Sequence, residues 1–272
     1  MTPLLAFVFL LLAQQDEVSR SWNQPVEPFR IAGNVYYVGA NEITSYLITT
    51  PRGHIVLDGG FVETAPQIRR NIEKLGFRVA DVKLLLNSHA HVDHAGGLAE
   101  LKRVTGAKLV ASARDLPQLA RGGLDDPQFG DRLPFPPVYA DRVVADGGQV
   151  TLGGTTLTAH VTAGHTRGCT TWTMTLRDGR DVVFLCSPSV PSEYKLVGNT
   201  RHPEVAEDYR RQFAFLKTLR PEIWLASHGN FFDLTAKRKG EKPWVDPDGY
   251  AAFVARMEKA FEERLAAQQQ GR

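Results

Sequence analysis

Apolar residues recur along this chain with two different periods, and the order of the periods outlines a fold. After a lead-in over 14–30 that reads as extended, short apolar runs at 35–38, 45–49 and 54–57 have strand length. Turn residues such as Pro51-Arg52-Gly53 separate them. Over 62–75 the period changes: Ile68, Ile72 and Leu75 fall on one helical face, and Gly76 closes it. A strand at 82–86, a helix at 95–104, a strand at 107–111 and a short helix from Arg114 follow. Residues 122–141 are rich in Gly, Pro and Asp and read as loop. A second β-rich block occupies 142–144, 149–152, 155–162, 169–176 and 181–185, with Gly-Gly and Asp-Gly turns between its segments. Then come a helix at 205–219, a strand at 222–226 and a helix at 247–267. One face of that last helix carries Tyr250, Phe253, Val254, Met257, Phe261 and Leu265. Residues 268–272 read as a frayed tail. Two β-rich blocks, each followed by helices, predict an α/β or α+β domain.

Composition narrows the picture modestly. The 272 residues suit one large domain, and no linker or internal repeat divides 14–272. An apolar fraction of 43% and a charged fraction of 23% are ordinary for a soluble globular protein. A net charge of +2 leaves neither a nucleic-acid footprint nor an acidic tail. Residues 4–13 form an apolar run too short to span a bilayer. The run suits the core of a secretory signal over 1–13, with Ala13 at the cleavage point, which predicts a periplasmic or secreted protein with no stable membrane association. Export would let a disulfide persist. The two cysteines, Cys169 and Cys186, end neighbouring strands of the second block and are predicted to pair; two buried thiols are the alternative.

The candidate chemistry is concentrated in Ser88-His89-Ala90-His91-Val92-Asp93-His94-Ala95-Gly96-Gly97. Three of the eight histidines and an aspartate fall here, between the predicted strand at 82–86 and the helix that follows it. Imidazole nitrogen and carboxylate oxygen are the usual non-sulfur ligands of zinc. His89 and His91, two apart, point the same way in extended chain, while Asp93 and His94 lie where the chain bends towards the helix. One segment can therefore serve two metal ions. Gly96 and Gly97 allow close backbone packing at the turn. A polar loop with chance histidines would account for one of these residues, not for the set. His165 and His228 each follow a predicted strand in a Gly-flanked turn, where ligands from separate strands converge. His54, His160 and His202 lack that context and read as structural or exposed. Asp58, after the strand at 54–57, reads as a brace for a neighbouring backbone or histidine rather than as a ligand.

His-x-His-x-Asp-His resembles the metallo-β-lactamase superfamily. That resemblance implies a four-layer αββα sandwich. It also implies two Zn²⁺ per chain, one held by His89, His91 and His165 and the other by Asp93, His94 and His228, with Asp93 also orienting the attacking water. Many hydrolases of the superfamily, among them thioesterases and lactonases, carry a metal-bridging Asp after a later strand. Here the matching strand runs into Cys186-Ser187-Pro188-Ser189, with no Asp. The segment is similar to that of subclass B3 metallo-β-lactamases. Ile31-Ala32-Gly33-Asn34-Val35-Tyr36, Val56-Leu57-Asp58-Gly59-Gly60, Ala120-Arg121-Gly122-Gly123, Ala163-Gly164-His165-Thr166 and Gly198-Asn199 extend the likeness. By position, Ser187 and Ser189 match serines that bind the β-lactam carboxylate, and Tyr194 matches a tyrosine beside the substrate carbonyl. Cys186 would be a thiolate ligand only as a departure from that subclass. The resemblance implies β-lactam hydrolysis by a monomer acting on a small molecule, with a thioesterase or lactonase on the same scaffold as the alternative.

Overall fold

The computed structural model describes residues 19–271; the predicted signal over 1–13 lies outside them. Seven strands form one sheet in sequence order: β1 (Phe29–Ala32), β2 (Val35–Tyr37), β3 (Tyr46–Thr50), β4 (Gly53–Leu57), β5 (Val82–Leu86), β6 (Lys108–Ser112) and β7 (Arg142–Val144). Pairing is antiparallel from β1 to β4 and parallel from β4 to β7. The second sheet has the order β12 (Ile223–Ala226), β11 (Asp181–Leu185), β10 (Thr170–Thr175), β9 (Thr155–Val161), β8 (Gln149–Leu152). Only β11 and β12 are parallel within it.

Alternation along the strands sets the layers, because successive side chains point to opposite faces. In β3, Tyr46 and Ile48 join one core while Leu47 between them joins another. Ile55 and Leu57 of β4 divide from Val56 in the same way, and Val110 of β6 divides from Leu109 and Ala111. The inner set meets the second sheet, as the Tyr46 and Phe184 rings show at 5.2 Å. The outer set meets Ile68 and Ile72 of α1 (Thr64–Lys74) and Leu98 and Leu101 of the helix at Leu98–Thr105. The far face of the second sheet is covered by a helix at Val205–Leu216 and by the long helix at Pro247–Gln269, with Trp224 of β12 against Phe253 at 5.2 Å. The four layers are therefore α, β, β, α, as the resemblance implies.

In chain order the remaining helices are α2 (Val92–Ala95), α3 (Leu98–Thr105), α4 (Leu116–Ala120), α5 (Val205–Leu216), α6 (Leu234–Arg238) and α7 (Pro247–Gln269). Proline at the first turn and the Asp246 carboxylate, which accepts from Gly249 N, start α7. Two elements depart from the sequence reading. Phe29–Ala32, expected as extended lead-in, is an edge strand paired with β2, and α6 stands where no helix was expected. Among the described residues, no helix is long and apolar enough to cross a membrane.

Candidate metal centre

Strands β4, β5, β9, β11 and β12 all release their chain at one edge of the sandwich, and the polar residues gather there. The turn after β5 is built by its neighbours. Asp58, leaving β4 with φ 64°, accepts from Ser88 N at 2.7 Å and Asn87 Nδ2 at 3.2 Å through Oδ1. A left-handed backbone at a non-glycine residue carries a cost, here offset by those bonds. Asp115 accepts from Ala90 N at 3.0 Å, Thr166 Oγ1 at 2.9 Å and Gly168 N at 2.7 Å, tying the turn after β5 to the turn after β9. Gly97 sits so close to Gly59 that a Cβ there would lie 2.2 Å from Gly59 O, which is the close packing expected of this turn.

The side chains form two adjoining sets. In the first, His91 Nδ1 lies 3.2 Å from His165 Nε2, and one donor atom from each of His89, His91 and His165 falls within 4.8 Å of the others. In the second, Asp93 Oδ2 lies 3.2 Å from His94 Nε2 and 3.5 Å from His228 Nε2, and those two nitrogens are 3.4 Å apart. The His89 and His94 rings, 4.3 Å between centroids, bring the sets together. The structure thus gathers all six residues that the sequence singled out.

Each imidazole turns its other nitrogen outward to an oxygen. His89 Nδ1 lies 3.0 Å from Ser88 Oγ, and His165 Nδ1 donates to Ser189 O at 2.9 Å. His91 Nε2 faces Asp126 Oδ2 at 3.7 Å, His94 Nδ1 faces Asp58 Oδ2 at 3.6 Å, and His228 Nδ1 faces Glu42 Oε1 at 3.6 Å. The contacts of His89 and His165 are hydrogen bonds, while the carboxylates facing His91, His94 and His228 stand just beyond that length; a partner opposite one ring nitrogen favours the other as metal ligand.

Electrostatics suit a cation. Burial, then the neighbouring imidazoles, hold His89 and His165 well below the usual histidine range, so both are neutral, the form that ligates. Burial alone would raise Asp93, but His94 and His228 hold it below the ordinary carboxylate range. Burial would lower His94; the carboxylates of Asp93 and Asp58 outweigh it and push His94 up to about 10. The second set therefore calls for positive charge at its centre. His89 Nε2 is buried with no hydrogen-bond partner. An orphaned buried nitrogen is costly unless something unseen satisfies it. The donor set, nitrogen and carboxylate oxygen without sulfur, fits zinc.

A cavity of about 280 Å³ opens on both sets, walled by Trp22, Phe61, Phe129 and Ser189. A larger groove of about 500 Å³ on the threonine-rich outer face of the second sheet, at Thr156, Thr158 and Thr173, is lined by His160 and Asp181 but, among the described residues, holds no cluster of three donors.

Two of the three residues expected to contact substrate, Ser187 and Tyr194, do not line this cavity. Ser187 has no exposed surface, and its hydroxyl lies 2.9 Å from Ser189 Oγ; only Ser189 of the pair lines the cavity. Tyr194 is also buried, donates to His165 O at 2.7 Å and stacks on the His165 ring at 5.5 Å. Its hydroxyl is engaged with the backbone of His165 rather than with the cavity. Cys169 and Cys186 form the expected disulfide, Cα–Cα 5.9 Å, so Cys186 is not a thiolate ligand although its sulfur lies 3.7 Å from His89 Nδ1.

His54 packs on Phe77, His160 Nε2 bonds Thr173 Oγ1 at 2.9 Å, and His202 Nε2 bonds Asp208 Oδ2 at 2.7 Å. All three are structural, as expected. Arg114 and Arg211 neutralise the carboxylates beside His202. Trp22, Glu42, Asp126 and Phe129 were not singled out by sequence. Only the Asp-rich composition around Asp126 carried any signal.

The family description "Metallo-beta-lactamase superfamily" matches residues 38–228. A metallo-beta-lactamase from Cronobacter sakazakii with a HARLDQ motif is 47% identical, TM-score 0.89, covering 93% of this chain and 99% of that one. In the stretch His89-Ala90-His91-Val92-Asp93-His94, this chain has histidine where that motif reads arginine and glutamine. The FEZ-1 metallo-beta-lactamase from Legionella gormanii is 42% identical, TM-score 0.89, covering 91% of this chain and 98% of that one. BJP-1, a subclass B3 metallo-beta-lactamase of Bradyrhizobium japonicum, is 42% identical, TM-score 0.86, covering 92% and 97%. Among curated sequences, a hydroxyacylglutathione hydrolase from Hyphomonas neptunium is 32% identical over 96 residues, 35% of this chain and 29% of that protein. The N-acyl homoserine lactonase AttM of Agrobacterium fabrum is 34% identical over 82 residues, 22% of this chain and 31% of that protein. The chain thus spans under a third of the length of these two curated relatives.

Proposed function

The chain belongs to the metallo-beta-lactamase superfamily, and from that premise we propose that it hydrolyses the β-lactam ring of antibiotics as a subclass B3 enzyme with two zinc ions. The observation that carries the reading is the pair of adjoining donor sets opening on one cavity, in a chain 42–47% identical over nine-tenths of its length to three metallo-beta-lactamases.

His89 Nε2, His91 Nδ1 and His165 Nε2 would hold one ion; Asp93 Oδ2, His94 Nε2 and His228 Nε2 would hold the other. Bound there, the ions would supply a water acidified towards neutrality and would polarise the substrate carbonyl. Asp93 has a second carboxylate oxygen, which accepts a hydrogen bond from the attacking water and aims it at the carbonyl carbon. Ser189 Oγ, held by Ser187 Oγ, donates to the substrate carboxylate. Trp22, Phe61 and Phe129 cover the ring and exclude bulk water. The reaction needs no serine nucleophile. The protein acts on a small molecule, and export as a monomer completes the reading.

A thioesterase or lactonase is the second reading, favoured by the partial curated matches. Against it, β11 runs into Cys186 and Ser187, and that exit carries no carboxylate between the two sets. Purified protein should open a chromogenic cephalosporin and lose that activity on chelation. Faster turnover of a thioester or an acyl lactone, with the cephalosporin untouched, would replace this reading by the second.

A further inference from the structure

His228 is gripped from outside both donor sets. It leaves β12 with Nε2 towards Asp93 and His94, while Nδ1 faces Glu42 Oε1 at 3.6 Å. Glu42 lies in the turn between β2 and β3, and that turn is fastened to the His228 segment along its whole length. Gly229 N donates to Glu42 O at 2.7 Å, Asn230 N to the Glu42 carboxylate at 3.1 Å and 3.2 Å, and Thr44 N to Ser227 O at 3.3 Å. A strap from the described N-terminal residues holds the turn in its place. Glu42 N and Ile43 N donate to Trp22 O at 3.1 Å and 3.4 Å, and Asn41 N donates to Gln24 O at 2.9 Å. The Trp22 ring meets the His228 ring edge-on at 5.4 Å. Glu42 has a side chain only 14% exposed, so its carboxylate is held rather than free.

Resting on the two-metal reading above, we propose that Glu42 is a positioning residue for His228 and acts on the second metal site alone. An imidazole that ligates through Nε2 carries its proton on Nδ1. A carboxylate facing Nδ1 selects that tautomer, fixes the ring and strengthens Nε2 as a donor. The first site does not share this support: His89, His91 and His165 are braced by Ser88 Oγ, Asp126 and Ser189 O, none of them in the Glu42 turn. The two sites therefore answer to different loops, and the affinity of the second is set by the turn that the N-terminal strap clasps.

Glu42→Gln separates charge from shape, because the amide oxygen still accepts from Asn230 N while the carboxylate opposite Nδ1 is gone. Zinc binding to the zinc-free protein is measured in competition with a chromophoric chelator, and the visible spectrum of the cobalt-substituted protein is followed in parallel. The second equivalent should bind about 10- to 100-fold more weakly in the variant, with the first unchanged. The cobalt bands that appear with the second equivalent should shift, and the melting temperature of the zinc-free protein should stay that of the wild type. Glu42→Asp keeps the charge one methylene further away and should fall between the two; it carries the test if Glu42→Gln does not fold. Wild-type binding of both equivalents in Glu42→Gln overturns the proposal. So does equal weakening of both sites with a lowered melting temperature, which marks a contribution to folding only. A wild-type protein that takes up one equivalent overturns the two-metal reading, and this proposal with it.

Discussion

At the residue scale, the fate of each polar atom decides its role. Ser189 lines the cavity and Ser187 stands behind it, so the two hydroxyls are not equivalent. Ser189→Ala should weaken binding of a β-lactam by about 1.5–3 kcal/mol, the worth of a bond to a charged group. Steady-state kinetics should register this as a raised KM with kcat little changed. Ser187→Ala should do less, and neither change should alter zinc content. A Ser189→Ala protein with wild-type KM would remove the anchoring role. The six candidate ligands stand out because histidine and aspartate in strand-end turns form a pattern that neighbours in sequence reveal, and the structure brings those six together. Their outward partners were not. Glu42 and Asp126 reach His228 and His91 across the fold, and nothing in the residues around them marks that encounter. The setting of Tyr194, buried with its hydroxyl on His165 O, was not legible either, because position in a loop does not fix where a side chain points.

At the scale of elements, periodicity was informative wherever a strand or helix had one face to bury. The alternation in β3 and β4 and the apolar stripe of α7 are visible in the sequence. The layer order is not, since period shows which face is apolar and not what covers it. The Tyr46–Phe184 contact joins residues far apart in the chain. Strand β1 was missed because four residues between prolines and a turn carry little pattern, and it exists as a strand through pairing with β2. The disulfide was legible from two cysteines at neighbouring strand ends. It closes a loop with a separation of 17 residues between β10 and β11. Replacing both cysteines by alanine should cost about 3 kcal/mol in denaturant unfolding, by the chain-entropy account. Zinc content should persist, because neither sulfur is assigned to a metal. Unfolding at wild-type denaturant concentration would mean that strand packing alone holds this edge together.

At the scale of the whole molecule, buried charge couples stability to pH and ties distant parts together. Asp208 of α5 is buried, which alone would raise it, but His202, Arg211 and Arg114 hold its carboxyl below the ordinary 3.8. A folded-state pKa below the unfolded value stabilises above pH 3.8, and the contribution is lost as pH falls through the depressed value. Asp208→Asn should therefore cost about 2–3 kcal/mol at neutral pH. The gap from wild type should close in acid, and a constant gap down to strongly acidic pH would exclude this linkage. The central claim is that two metal sites, brought together by the ends of both sheets, work as one centre on a β-lactam. Adding zinc to the chelator-treated protein while following both bound metal and cephalosporin hydrolysis tests it most directly. The account predicts that activity rises until about two equivalents are bound, as six ligands in two open sites require. Full activity at about one equivalent, with all six ligands intact, would contradict it.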